Sequence, residues 1–225
     1  MPIPSNGRIF MASEDYVDNF YTDALYPTAV SANSMLYSSS SNIVEEVSLS
    51  GDGILIVTDG VPSVSSAIQV VNDVVVMPTQ PLFIAYLSGS SNNCTGDSTV
   101  FTMPFDSTVI DLNSNFNTTT HAFVAPVDGI YYFSLSWKLN QVTPLASSIT
   151  AQAVVTGTSA GTYVLVTAGS GIGDIANAIA QTNSTYIQMT SGDSVTFQVK
   201  VSGITKTVDL VGGSASQTSI SGKLV

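Results

Sequence analysis

From Leu82 to the C-terminus the chain keeps returning to one figure. Apolar and polar side chains alternate over a short run, and a cluster of Gly, Asp, Asn, Ser or Pro then interrupts it. A period of two marks a strand with one buried face, whereas an amphipathic helix needs 3.6. The runs are Leu82–Leu87, Val100–Phe105, His121–Ala125, Ile130–Trp137, Ile149–Thr156, Thr162–Thr167, Thr185–Met189, Ser194–Val201 and Gln217–Val225. Their spacing predicts an all-β sandwich of the jelly-roll type. Ile130–Trp137 says most. Tyr131, Phe133 and Leu135 share one face, and Ile130, Tyr132 and Ser134 share the other. Large groups on both faces call for cover on both, by the sandwich core on one side and a neighbouring subunit on the other.

Composition narrows the function classes. Hydrophobic residues make up 44% of the 225 positions, so a sizeable core is available. Charged residues are only 9%, against about 25% in an ordinary soluble domain. Ser, Thr, Asn and Gln must supply the polar surface, which suits extracellular β-proteins and fibres. Five Lys and Arg stand against sixteen acids, for a net charge of −11. Such a chain has no basic stripe for phosphates, so no nucleic-acid partner is expected. An anionic membrane surface is disfavoured too. No apolar stretch is long enough to span a bilayer, so no membrane insertion is expected. Cys94 is the single cysteine, which excludes an internal disulfide framework and makes a small residue in a polar loop the plain expectation. The start MPIPSNGRIF lacks the basic and apolar segments of a signal peptide. Release inside a particle is the expected way out of the cell.

Charge and punctuation divide the chain. Up to Gln80 nine acids face Arg8 alone; beyond it seven acids face four lysines. Met77-Pro78-Thr79-Gln80-Pro81 marks the boundary. Residues 1–30 are expected to form an anchor segment. Ser13 can cap a helix there, Glu14 and Asp15 suit its N-terminus, and Pro27 stops it. Tyr16, Phe20, Tyr21 and Leu25 line the apolar face of that helix and are the candidate particle-anchoring residues. Residues 31–80 are expected to form a β-rich stalk or linker, with strands at Ile43–Leu49, Ile54–Thr58 and Ala67–Met77. Asp52-Gly53 and Asp59-Gly60 serve as its turns, and Val61-Pro62 breaks the strand pattern. Fifty such residues are too few for their own core unless copies from several chains wrap together. The stretch NSMLYSSSSNIVEEVSLSGDGILIVTDGVPSVSS resembles linker segments of viral and phage fibre proteins.

Residues 81–225 carry a more specific resemblance. Phe105, Asp111, Phe116, Phe123, Gly129, Tyr131 and Phe133 stand at gaps of five, four, six, five, one and one residues. This spacing resembles the signature of the globular head of complement component one, subunit q, a family related to tumour necrosis factor. FVAPVDGIYYFSLSW, Ser191-Gly192-Asp193-Ser194-Val195 and the closing SISGKLV agree with it in order. Leu135 departs, standing where the family usually has Phe or Tyr. The resemblance implies a ten-stranded jelly roll that assembles as a homotrimer. It also implies both termini at one base and partner-binding loops at the opposite apex.

Catalytic constellations are absent from the pattern. A Ser-His-Asp triad or a Cys-His pair would have to use His121, the one histidine, which sits at a strand edge. Gly169-Ser170-Gly171-Ile172-Gly173 before IANAIA imitates a dinucleotide fingerprint that opens a helix, but the spacing is wrong. Glu45 and Glu46, adjacent on a strand, point to opposite faces and cannot flank one glycosidic bond. The resemblance leaves calcium open, yet no Asp-rich loop carries its ligand spacing, so no cofactor is expected. The reading is a non-enzymatic trimeric fibre or spike protein at the virion surface. Its N-terminus attaches to a capsid or tail protein and its head binds a host-surface protein or glycan. The alternatives are a capsid decoration or cement protein, or a secreted lectin-like adhesion protein.

Overall fold

The computed structural model describes residues 34–38, 44–48, 54–58, 61–65, 67–72, 74–169 and 177–225. The expected helix carrying Tyr16, Phe20, Tyr21 and Leu25 lies outside them. Two compact units divide the chain, Met1–Pro78 and Thr79–Val225.

In the first unit the described residues form three separate two-stranded antiparallel hairpins. They are β1 (Ser34–Ser38) with β2 (Val44–Ser48), β3 (Ile54–Thr58) with β4 (Val61–Ser65), and β5 (Gln69–Val71) with β6 (Val74–Val76). Two expectations need correction here. Ala67–Met77 is not one strand. Val71 pairs with Val74, so two residues connect the strands of a hairpin, and Asn72 has the positive φ, 50°, that such connections call for. The run of valines on either side hid that turn. Val61-Pro62 does not interrupt a strand either, since both residues belong to β4 and Pro62 lies opposite Val57. Pro is tolerated there because a two-stranded hairpin has only edges, and its missing N–H can face outward.

The second unit is all-β, in two sheets whose pairings are antiparallel. One has seven strands. Its order is β10 (Ser107–Leu112), β7 (Leu82–Tyr86), β19 (Ser219–Leu224), then β13 (Gly129–Asn140), with β16 (Ala178–Met189) along the other edge of β13. At the far end of β13 the short β18 (Val208–Leu210) and β8 (Ser91–Thr95) continue it. The six-stranded sheet runs β11 (Phe116–Asn117), β12 (Ala122–Val124), β17 (Ser194–Ser202), β14 (Ser148–Thr156) and β15 (Gly161–Ala168), with β9 (Val100–Thr102) also on β17. Apart from β11–β12 and β14–β15, neighbours in space are not neighbours in sequence, as in a jelly roll.

Alternation sets the core. Tyr131, Phe133, Leu135, Trp137 and Leu139 of β13 are fully buried, and they meet Phe197, Val199 and Val201 of β17 and Ala151 and Ala153 of β14. Phe83 stacks on Phe116 and on Phe123, each with centroids 4.9 Å apart. Phe133 meets Phe123 and Phe197 edge-on at 5.7 and 5.6 Å. Each such pair contributes about 0.5–1.5 kcal/mol beyond its buried area. Gly222 lets two of these rings close on β19: a Cβ there would stand 2.4 Å from Phe83 and 2.7 Å from Phe133.

Other elements differ from the sequence reading. β16 begins at Ala178, seven residues before the expected strand Thr185–Met189, and takes in the last three residues of IANAIA. The strands SNNCT, STVIDL, FN and VDL carry too little apolar alternation to announce themselves. Cys94 sits on one of them, β8, and is buried in the core rather than set in a polar loop.

Candidate functional site

The seven signature residues occupy a continuous part of the head. Phe105, Phe123, Tyr131 and Phe133 have no exposed surface and Phe116 has little. The Tyr131 hydroxyl escapes burial cost by donating to the Val127 carbonyl at 2.7 Å, and burial pushes its pKa up. Asp111 organises a turn. Its carboxylate accepts the Asn115 amide at 3.0 Å and the Phe116 amide at 3.2 Å, across Asn113 and Ser114, both at positive φ. Gly129 opens β13 without a positive φ. Its small size matters because a Cβ would stand 2.5 Å from Leu224 Cδ1.

Register separates the domain into two ends. At one end Leu82 pairs with Lys223, Tyr131 with Leu224, and Gly129 with Met189. Gln80 donates to the Leu224 carbonyl at 3.0 Å, and the Leu224 amide to that of Pro81 at 3.2 Å. Both termini of the domain therefore meet there. Asp193 ties down the same end. It is 1% exposed, and its carboxylate accepts the amides of Thr190 at 2.8 Å, Thr158 at 2.6 Å and Ser159 at 3.1 Å. The Thr190 amide first, then the Ser159 and Thr158 contacts, hold this carboxyl below the usual range in spite of its burial. Gly157, at φ +127°, makes room, since a Cβ would fall 2.2 Å from Asp193 Oδ1. The sequence shows one half of this lock, since the adjacent Gly192 and Asp193 are turn residues; its partner Gly157 sits too far along the chain to be read.

At the other end Asn140 pairs with Ala178 and with Asp209, and Ser148 with Ser202. The described segments here are 87–106, which includes the short strands β8 and β9, 141–147, and 203–218, which includes β18; the sequence reading expects its apex loops at this end. Their acids hold the loops together. Asp209 accepts the Asn93 amide at 2.7 Å and the Gln141 side chain at 2.5 Å. Asp106 accepts both the hydroxyl and the amide of Ser88, at 2.7 and 2.8 Å. Thr99 holds the Asp97 carboxyl below its usual range. Leu145 stands out of this end at 78% exposure, beside Pro144.

A model of the C1q domain matches residues 85–225. The chain belongs to the C1q family. Among solved structures, the globular domain of zebrafish complement 1qA is similar at 15% identity, covering 65% of this chain and 97% of that one with a TM-score of 0.45. Murine APRIL is similar at 10% identity, covering 65% and 99% with a TM-score of 0.46. No curated protein matches the chain significantly.

The chemistry available to this C1q domain is that of surfaces. His121 has a φ of 57°, and its Nδ1 lies 3.0 Å from the Phe105 carbonyl. A carbonyl only accepts, so that nitrogen carries the proton and serves the backbone. Cys94 Sγ points at the Val208 carbonyl at 3.3 Å, and burial pushes the thiol's pKa up, away from the reactive thiolate. No group of three metal-binding side chains occurs among the described residues. Of the run Gly169–Gly173 only Gly169 is among the described residues; the run falls between strands β15 and β16.

Proposed function

We propose that the chain is a non-enzymatic homotrimeric fibre or spike protein of a virus particle, with a C1q head that binds a host-surface protein or glycan. The outward face of the seven-stranded sheet carries this reading. Across one row the register sets Leu112, Leu82, Lys223, Tyr132 and Tyr186 side by side. Tyr186 is 63% exposed and its ring lies 5.1 Å from that of Tyr132. The next two rows are built largely of Ser219, Ser221, Ser134, Ser136, Thr182 and Ser184. Large apolar groups beside small hydroxyls suit close approach of identical copies better than open water. The loops at the end away from the termini are the proposed binding surface. Tyr16, Phe20, Tyr21 and Leu25 are the proposed anchor to a capsid or tail protein. The virion setting is supported by the Ser/Thr-rich, Lys/Arg-poor composition and by the hairpins that precede the head.

Sedimentation and cell binding test the proposal. The full chain is expected to sediment as three copies at micromolar concentration and to bind host cells or envelopes. A stable monomer would sink the trimeric reading. A trimer that binds no host surface, but whose loss weakens the particle, would replace the adhesive role by decoration.

A further inference from the structure

The hairpin β5–β6 is exposed on both of its faces. Val70 pairs with Val75 on one face and Val71 with Val74 on the other. All four are between 44% and 64% exposed. In the hairpin β3–β4 the strand β3 also exposes Leu55 and Val57 on one face and Ile56 on the other, although Pro62 opposite Val57 is buried. A two-stranded hairpin of this size is marginal alone in water. Exposed apolar edges invite pairing, and proteins usually blunt them with Lys, Pro or a bulge. The strands QVV and VVV carry none of these.

We propose that β5–β6, with β3–β4 before it, is covered on both faces by the same hairpins of two further copies, so that residues 54–76 form a three-chain β segment. Two-faced exposure selects this occupant. A flat partner covers one face only, whereas in a closed ring of three each copy touches two neighbours through two different surfaces. Charge opposes it only weakly, because Asp59 and Asp73 are the only charges in residues 54–76. Five residues, 77–81, join β6 to the head strand β7. Once three heads associate, so short a tether brings the hairpins to an effective concentration in the millimolar range. The inference rests on the trimeric reading above but concerns a different part of the chain.

Hydrogen exchange on the full chain separates the two. Where sedimentation shows three copies, the amides of residues 69–76 are expected to exchange about a hundredfold more slowly than in the synthetic peptide 67–77. Val75→Asp on one face and Val71→Asp on the other should each restore the peptide's rate while the head stays trimeric. Peptide-like exchange in a trimeric chain would overturn the inference and leave the trimer standing. Protection that disappears on removal of residues 1–33 would also overturn it, by giving the cover to the chain's own N-terminus. A chain that sediments as a monomer would overturn the trimeric reading as well.

Discussion

The C1q head and the hairpins before it are built from the same materials, short Val-rich, Ser-rich and Thr-rich strands, yet they treat an apolar side chain differently. In β13 every inward residue from Tyr131 to Leu139 is buried against a second sheet. In β5–β6 the valines of both faces meet solvent in the single chain. The difference lies in how many layers the segment can recruit. Residues 79–225 supply two sheets and cover themselves, while each hairpin is a single layer whose cover has to come from outside it. Apolar composition therefore does not tell a core from an interface. What tells them apart is whether the same chain also supplies the opposing face.

The sharpest break of this contrast comes from Phe133. It is fully buried and touches Phe83, Tyr131, Phe123 and Phe197. Phe133→Ala is expected to destabilise the head by about 3–5 kcal/mol. Val75→Ala in the hairpin should leave the head's thermal transition where it was. Thermal unfolding followed by near-UV circular dichroism reads both. A Phe133→Ala protein that melts within a few degrees of the parent would mean that the β13 register is wrong.

Much of the head was legible because its signals are local. The face assignment of β13 followed from period two alone, and the Gly192–Asp193 turn from two adjacent residues. What stayed hidden depends on distant partners or on polar strands. β16 reaches back to Ala178 through Gln181, Thr182, Asn183 and Ser184, where even the inward, half-buried positions are polar: Gln181 and Asn183 stand there, and Asn183 Oδ1 accepts the Trp137 indole N–H at 3.1 Å. Cys94 reads as a loop residue among Ser and Asn, yet pairing of β8 with β18 carries it into the core. Asp128-Gly129 is a dipeptide typical of turns, but the constraint on Gly129 is the approach of Leu224, which lies far along the chain.

A smaller effect is expected at Asp193, and it has a sign. Its carboxyl lies below the ordinary range in the folded state, so the charged form binds its amides better than the unfolded chain solvates it. The stability it contributes is complete above the unfolded value of about 3.9 and is lost as pH falls through the lower folded value. Asp193→Asn keeps one acceptor oxygen and removes the titration. Urea midpoints of the parent and the variant should differ most at neutral pH and converge as the solution approaches pH 2. A constant gap across that range would assign the effect to shape rather than charge.

The smallest effect on the head is expected from the far N-terminus, where the contrast is between folding and attachment. The proposed anchor face of Tyr16, Phe20, Tyr21 and Leu25 is too short to build a core and is aromatic enough to serve as the centre of an interface. Phe20→Asp combined with Tyr21→Asp places two charges on that face. The double variant should leave the head's melting temperature and sedimentation unchanged, because the described residues of 79–225 supply both sheets of the core. Its incorporation into particles should fall below detection, measured by immunoblot of purified virions against the parent. Incorporation at the parent's level would remove these residues from the anchor. A loss of trimers would instead assign the segment to the packing of the chain itself.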